Sequence, residues 1–125
     1  MKTSKVAVLG ASEKAGRYAR LAQESLLECG YEVVPIATKA AHILGIPTIA
    51  AVKDLPSDTD TLTIYIGSSY IPAMLEELCA SPVRRFIFNP GTECEDSIAH
   101  LRRAGKVVVE GCTLVMLKTG QFEKS

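Results

Sequence analysis

Residues Val8 to Gly16 read VLGASEKAG: an apolar run breaks at Gly10, passes Ala11, Ser12 and two opposite charges, and reaches a second glycine before a helical pattern begins. A tight turn between a strand and a helix can press backbone N–H groups against a phosphate. The dinucleotide fingerprint places three glycines in such a turn. Here only the first, Gly10, fits, and Ser12 stands in place of the second. The Ser12 hydroxyl can cap a helix by accepting from an N–H, or donate to a phosphate oxygen. Taken alone, the loop reads equally well as an ordinary capped turn.

Two neighbouring features bear on the choice. Arg17 falls in the first turn of the helix expected after Gly16, where a cation opposes the macrodipole unless an anion is bound. The helix expected after Thr92 instead opens with Glu93, Glu95 and Asp96, and would repel a phosphate. The first helix is therefore the better phosphate seat. At the end of the second apolar run the chain reads VVPIATK. An NAD-binding domain places an acid there for the ribose hydroxyls, whereas this chain has Thr38 and Lys39. A hydroxyl and a cation favour a phosphorylated ribose, as in NADP with its 2′-phosphate or coenzyme A with its 3′-phosphate. Read as plain surface residues, Arg17 and Lys39 are simply solvated.

Other reactive side chains assemble into nothing. Cys29, Cys79, Cys94 and Cys112 are widely spaced, with no CxxC pair and no histidine at ligand spacing, so neither a disulfide framework nor a metal site is expected. Cys94 and Cys112 both follow strand ends. At Cys94 a helix start lowers the thiol pKa while neighbouring acids raise it; a mixed disulfide with a ligand thiol is the minor reading and a structural thiol the default. His42, after the second strand, and His100, on the helix after Thr92, read as surface or boundary residues.

The elements that must position these residues alternate almost end to end. Apolar runs lie at Lys5–Leu9, Tyr31–Ile36, Thr61–Ile66, Arg84–Phe88 and Lys106–Val109, with a short edge strand at Thr48–Ala51. Runs without strict polar alternation suit strands buried on both faces. Ala15, Ala19, Ala22, Leu26 and Cys29 mark one face of a first helix, closed by Gly30. A second is expected over Tyr70–Cys79, with Ser69 as cap and Pro72 in its first turn. A third follows a T-x-x-E capping box at Thr92 and Glu95, with Ile98 and Leu101 facing inward and Gly105 closing it. Ser57 to Asp60 reads as a surface loop. Strand, helix, strand in repetition implies a single Rossmann-like α/β domain over residues 1–125, a three-layer doubly wound parallel sheet of order 3-2-1-4-5. The ligand crevice then lies between Gly10–Gly16 and Gly67–Ser69.

The chain has 125 residues, suited to one core. Its 14 Lys and Arg balance 14 Asp and Glu, so no net field recruits nucleic acid or an anionic membrane. The N-terminal MKTSK and the short run after it suit neither a signal-peptide core nor a membrane span, which predicts a cytoplasmic protein.

These residues, with FNPG after the next-to-last strand and a cysteine after the last, resemble the small single-domain coenzyme-A-binding proteins. That family is similar to the nucleotide-binding domain of the succinyl-CoA synthetase alpha subunit. The likeness runs from Lys5 to Leu117, through VLGAS, GYEVVPI, FNPGTE and AGKVVVEGC. It implies that coenzyme A lies over the first βα loop, with Gly10, Ala11, Ser12 and Gly16 as phosphate loop and Thr38 and Lys39 near the adenosine. Ser68, Asn89, Pro90 and Gly91 would line the crevice. The chain departs from the family in one place, carrying Ala37-Thr38 where an Asn-Pro pair is usual.

The leading expectation is a module that binds coenzyme A or an acyl-CoA as a carrier, sensor or interaction partner, without a complete catalytic set. The alternatives are an NADP-dependent oxidoreductase domain, for which the chain is short, and a ligand-free scaffold, for example a homo-oligomer presenting LVMLKTGQF at a subunit contact.

Overall fold

The computed structural model describes residues 5–124; residues 1–4 and 125 lie outside it. Five strands form one parallel sheet: β1 (Lys5–Leu9), β2 (Glu32–Ile36), β5 (Thr59–Ile64), β6 (Arg85–Phe88) and β7 (Val107–Glu110), in the order β2-β1-β5-β6-β7. A two-residue hairpin, β3 (His42–Ile43) and β4 (Ile46–Pro47), follows β2. The helices are α1 (Tyr18–Glu28), α2 (Leu75–Ala80), α3 (Glu95–Arg103) and α4 (Thr113–Thr119).

Alternation along the strands builds two cores. Val6 and Val8 of β1 point with Ile87 of β6 toward α1 and α4, packing on Ala19, Leu26, Met116 and Phe122. Ala7 and Leu9 point the other way with Leu62, Ile64, Phe86 and Phe88, onto Leu78 of α2 and Ile98 and Leu101 of α3. Residues one apart on a strand face opposite layers, so near-continuous apolar runs satisfy both. This is the doubly wound, three-layer Rossmann-like arrangement expected. Among the described residues, no helix is long and apolar enough to cross a membrane.

α1 ends in a Schellman motif: Gly30 at φ 89° donates its N–H to the Leu27 carbonyl, and Tyr31 donates to Leu26. Other elements depart from the sequence reading. The edge strand at Thr48–Ala51 shrinks to a single parallel bridge between Ile36 and Ile49, so the outermost place in the sheet is barely occupied. The helix expected over Tyr70–Cys79 is divided into 3₁₀ turns at Ser68–Tyr70 and Pro72–Met74 before α2 begins. Pro72 lacks the N–H that would continue a helical ladder, and Ser69 lies within the first turn rather than capping it. The capping box does not form. Cys94 occupies the N-cap, and the Thr92 hydroxyl donates instead to the Asn89 carbonyl at 2.7 Å. Thr59 is buried and Asp60 follows it within β5, so the loop at Ser57 ends earlier than its composition suggested.

Candidate functional site

In the sheet, β1 lies between β2 and β5. From β1 the chain crosses one way to β2; from β5 it winds the other way to β6 and β7. The loops after β1 and β5 therefore diverge and leave a crevice at the strands' C-terminal ends.

Gly10 opens that crevice at φ 86°, and a Cβ there would stand 2.8 Å from Ile66 Cγ2 and 3.1 Å from the Tyr65 backbone. Glycine alone meets both the left-handed conformation and the close approach. The following turn is held at few points. The Ala11 N–H donates to the Ile36 carbonyl at 3.2 Å, and Arg17 donates to Lys14 at 3.2 Å. The Ser12 hydroxyl accepts from the Lys14 N–H at 3.0 Å, so it closes a turn inside the loop rather than capping α1. Glu13 braces the loop from outside: its carbonyl accepts from the Arg20 guanidinium, and its carboxylate accepts from the Leu44 N–H of the hairpin turn at 3.3 Å.

The remaining donors are unused. Among the described residues, the N–H groups of Ser12, Glu13, Ala15 and Gly16 donate to no protein acceptor, nor do those of Tyr18, Ala19 and Arg20 in the first turn of α1. Arg17 is the extended N-cap of α1, one position before the first turn; its side chain makes no capping bond, and α1 has no acid in its first turn. α3 opens with Glu95 and Asp96. The contrast between the two helix starts drawn from the sequence therefore holds. The side chains of Arg17 and Lys39 are in no ion pair among the described residues.

Two cavities flank this turn. The larger, about 900 Å³, extends over β2 toward Thr38, Lys39 and Val52, with Tyr70, Met74 and Glu77 on the far side. The smaller, about 310 Å³, runs toward Tyr18, Tyr65, Gly67 and the segment Pro90 to Thr92. Gly10, Arg17 and Ile66 belong to both, so a single elongated ligand can cross the loop from one to the other.

Most of the sequence-predicted site residues converge here. Ala11, Thr38 and Lys39 line the larger cavity; Ser12, Pro90 and Gly91 line the smaller; Gly10 and Arg17 line both. Gly16, Ser68 and Asn89 line neither. Gly16, at φ 86°, shapes the turn before α1, and Ser68 lies in the 3₁₀ turn beside Gly67.

Asn89 corrects the expectation that it faces ligand. It is 3% exposed, and its side chain is fully engaged within the protein: Nδ2 donates to the Thr63 hydroxyl at 2.6 Å and the Ile64 carbonyl at 2.9 Å, while Oδ1 accepts from the Thr113 N–H at 2.9 Å. It positions Pro90 and Gly91 rather than touching what they line.

The sequence reading missed the far wall. Tyr70, Met74 and Glu77 were hidden by the unbroken helix it assumed, and Ala50 to Val52 by the overlong edge strand. Tyr65 and Ile66 are the continuation of β5, read there only as strand. Burial pushes the Tyr65 phenol up to about 12, with the nearby Thr113 and Thr63 hydroxyls opposing the rise.

The minor candidates lie elsewhere. Cys94 and Cys112 are the N-caps of α3 and α4, and Cys94 Sγ accepts from the Ser97 hydroxyl at 3.2 Å; neither lines a cavity. His42 and His100 are exposed, also away from both cavities. In the segment LVMLKTGQF, Met116 and Phe122 are buried within the chain, Leu114 and Leu117 are half-buried and Val115 is exposed.

Residues 4–118 match the CoA binding domain family. A solved structure of a protein without assigned function superposes with a TM-score of 0.88 at 36% identity, covering 98% of this chain and all of the other. Among curated relatives, the uncharacterized protein YneT of Bacillus subtilis is 21% identical over 108 residues, 86% of this chain and 80% of its own. The alpha subunit of the ADP-forming acetate–CoA ligase I of Pyrococcus furiosus is 31% identical over 78 residues, 58% of this chain. The alignment covers 17% of that subunit. A family match over nearly the whole chain, on a sheet whose order reverses beside the first βα loop, leads to one conclusion: the chain belongs to the CoA-binding domain family.

Proposed function

We propose that the chain binds coenzyme A, free or acylated, across the loop Gly10–Arg17, and acts as a carrier, sensor or interaction module rather than as a complete enzyme. The observation that carries this reading is the coincidence, at one turn, of unused backbone donors, an unpaired Arg17 and a glycine that admits no Cβ. A diphosphate supplies the charge that this turn lacks. Lys39 and Thr38 in the larger cavity suit the phosphorylated ribose, which places the adenosine there and sends the pantetheine arm into the smaller cavity. The four cysteines are free, which suits a reducing cytoplasm.

NADP is the competing ligand, because its 2′-phosphate meets the same Thr38 and Lys39. Thermal denaturation with coenzyme A, acetyl-CoA, NADP and NAD separates the readings, since a ligand bound only by the folded state raises the midpoint. Coenzyme A should give the largest shift. A shift with NADP alone would favour the oxidoreductase reading, and none with any of the four would favour a ligand-free scaffold.

A further inference from the structure

We infer that the smaller cavity discriminates against a carboxylate on the acyl group, so that the ligand is free coenzyme A or the thioester of an uncharged acid. The inference rests on the orientation proposed above, with the thiol end in the smaller cavity.

The wall of that cavity at Pro90 to Thr92 has a fixed negative charge behind it. The Gly91 N–H, whose residue lines the cavity, donates to Glu93 Oε1 at 2.8 Å, which holds the carboxylate one hydrogen bond from the wall. Glu95 and Asp96 follow in the first turn of α3. Three acids thus oppose the dipole of α3, which contributes about half a positive charge at its N-terminus. The basic residues of α3, His100, Arg102 and Arg103, stand in its last turn, roughly a Debye length away.

The free donors that border the cavity, the N–H groups of Ser12, Tyr18 and Ala19, belong to the loop and helix start assigned above to the diphosphate. Arg17 is its one cation, and it is shared with the larger cavity across the loop that seats the diphosphate. The Thr92 hydroxyl already donates to the Asn89 carbonyl, and the Tyr65 hydroxyl is buried. With Arg17 and those donors committed to the diphosphate, an acyl carboxylate would meet repulsion from Glu93, Glu95 and Asp96, whereas an acetyl methyl meets the apolar sides of Tyr18, Tyr65 and Pro90 at no electrostatic cost.

Dissociation constants of the whole chain for coenzyme A, acetyl-CoA and succinyl-CoA, measured by calorimetry at low and high salt, test this. Acetyl-CoA should bind within about twofold of coenzyme A, and succinyl-CoA about fivefold or more weaker at low salt, the gap closing at high salt as screening grows. Glu93→Gln keeps an oxygen for the Gly91 N–H and should narrow the gap between the two thioesters; the double variant Glu95→Gln with Asp96→Asn gives a second measure should the first fail to fold. Succinyl-CoA binding as tightly as acetyl-CoA at low salt overturns the inference, as does a gap indifferent to both salt and substitution. Failure of all three ligands to bind overturns the proposed function itself, and this inference with it.

Discussion

The Thr113 N–H donates to Oδ1 of Asn89 at 2.9 Å, across 24 residues of sequence. This bond ties the first residue of α4 to the residue that follows β6. Because the same asparagine also donates to Thr63 and Ile64 of β5, one side chain fixes the ends of two strands and the start of a helix. Replacing Asn89 with Leu would leave the Thr113 N–H and the Thr63 hydroxyl buried without this partner. A loss of about 2–4 kcal/mol is expected, read as a lower urea midpoint. Asn89→Asp keeps the acceptor for Thr113 but places its second oxygen against the Ile64 carbonyl, and should also destabilise.

Gly10→Ala should damage both stability and binding. The left-handed φ and the approach to Ile66 together predict a loss of about 1–3 kcal/mol. Coenzyme A affinity measured on the folded fraction should fall about tenfold or more, because the loop must move away from β5 to admit the methyl. Gly30→Ala also carries strain, at φ 89°, but nothing lies within 4 Å of its added Cβ, and its coenzyme A affinity should stay near that of the parent.

Arg17 and Lys39 should separate by ligand. Lys39→Ala is expected to weaken coenzyme A about three- to tenfold while leaving dephospho-coenzyme A, which lacks the 3′-phosphate, nearly unaffected. Arg17→Ala should weaken both ligands alike. Calorimetry with the two ligands reads the difference, and equal losses for Lys39→Ala would place the ribose phosphate elsewhere.

Alkaline stability should follow Tyr65. Its pKa rises from 10.0 to about 12 in the folded state because burial disfavours the phenolate. Above pH 10 the unfolded chain loses this proton while the folded chain keeps it, so stability contributed below pH 10 declines as pH climbs toward 12. Tyr65→Phe should flatten that decline in urea midpoints between pH 9 and 11.5 (about the reachable window). An unchanged slope would mean that Tyr65 titrates as an exposed phenol.

Strands, layers and the crevice were readable because β-branched runs buried on both faces leave a strong signal, and because Gly30 and Gly105 punctuate α1 and α3. Boundaries governed by a single side-chain choice were not. Ser12 and Thr92 each had two local partners available, a helix N–H or a loop group, and each took the loop group. Asn89 read as ligand-facing because the family resemblance carried FNPG to the crevice; its inward turn depends on Thr63 and Thr113, which are remote in sequence. The wall at Ala50 to Val52 depends on the chain's leaving the sheet after one bridge at Ile49, a tertiary outcome that no local pattern records.

The opposed windings of the backbone after β1 and β5 have an evolutionary corollary. No individual side chain creates the hollow at the reversal of strand order, so no individual replacement erases it. A descendant that lost its cofactor through changes at Arg17 or Lys39 would keep a ready-made vacancy, open to a different guest through alteration of a few loop residues while the scaffold beneath stayed intact.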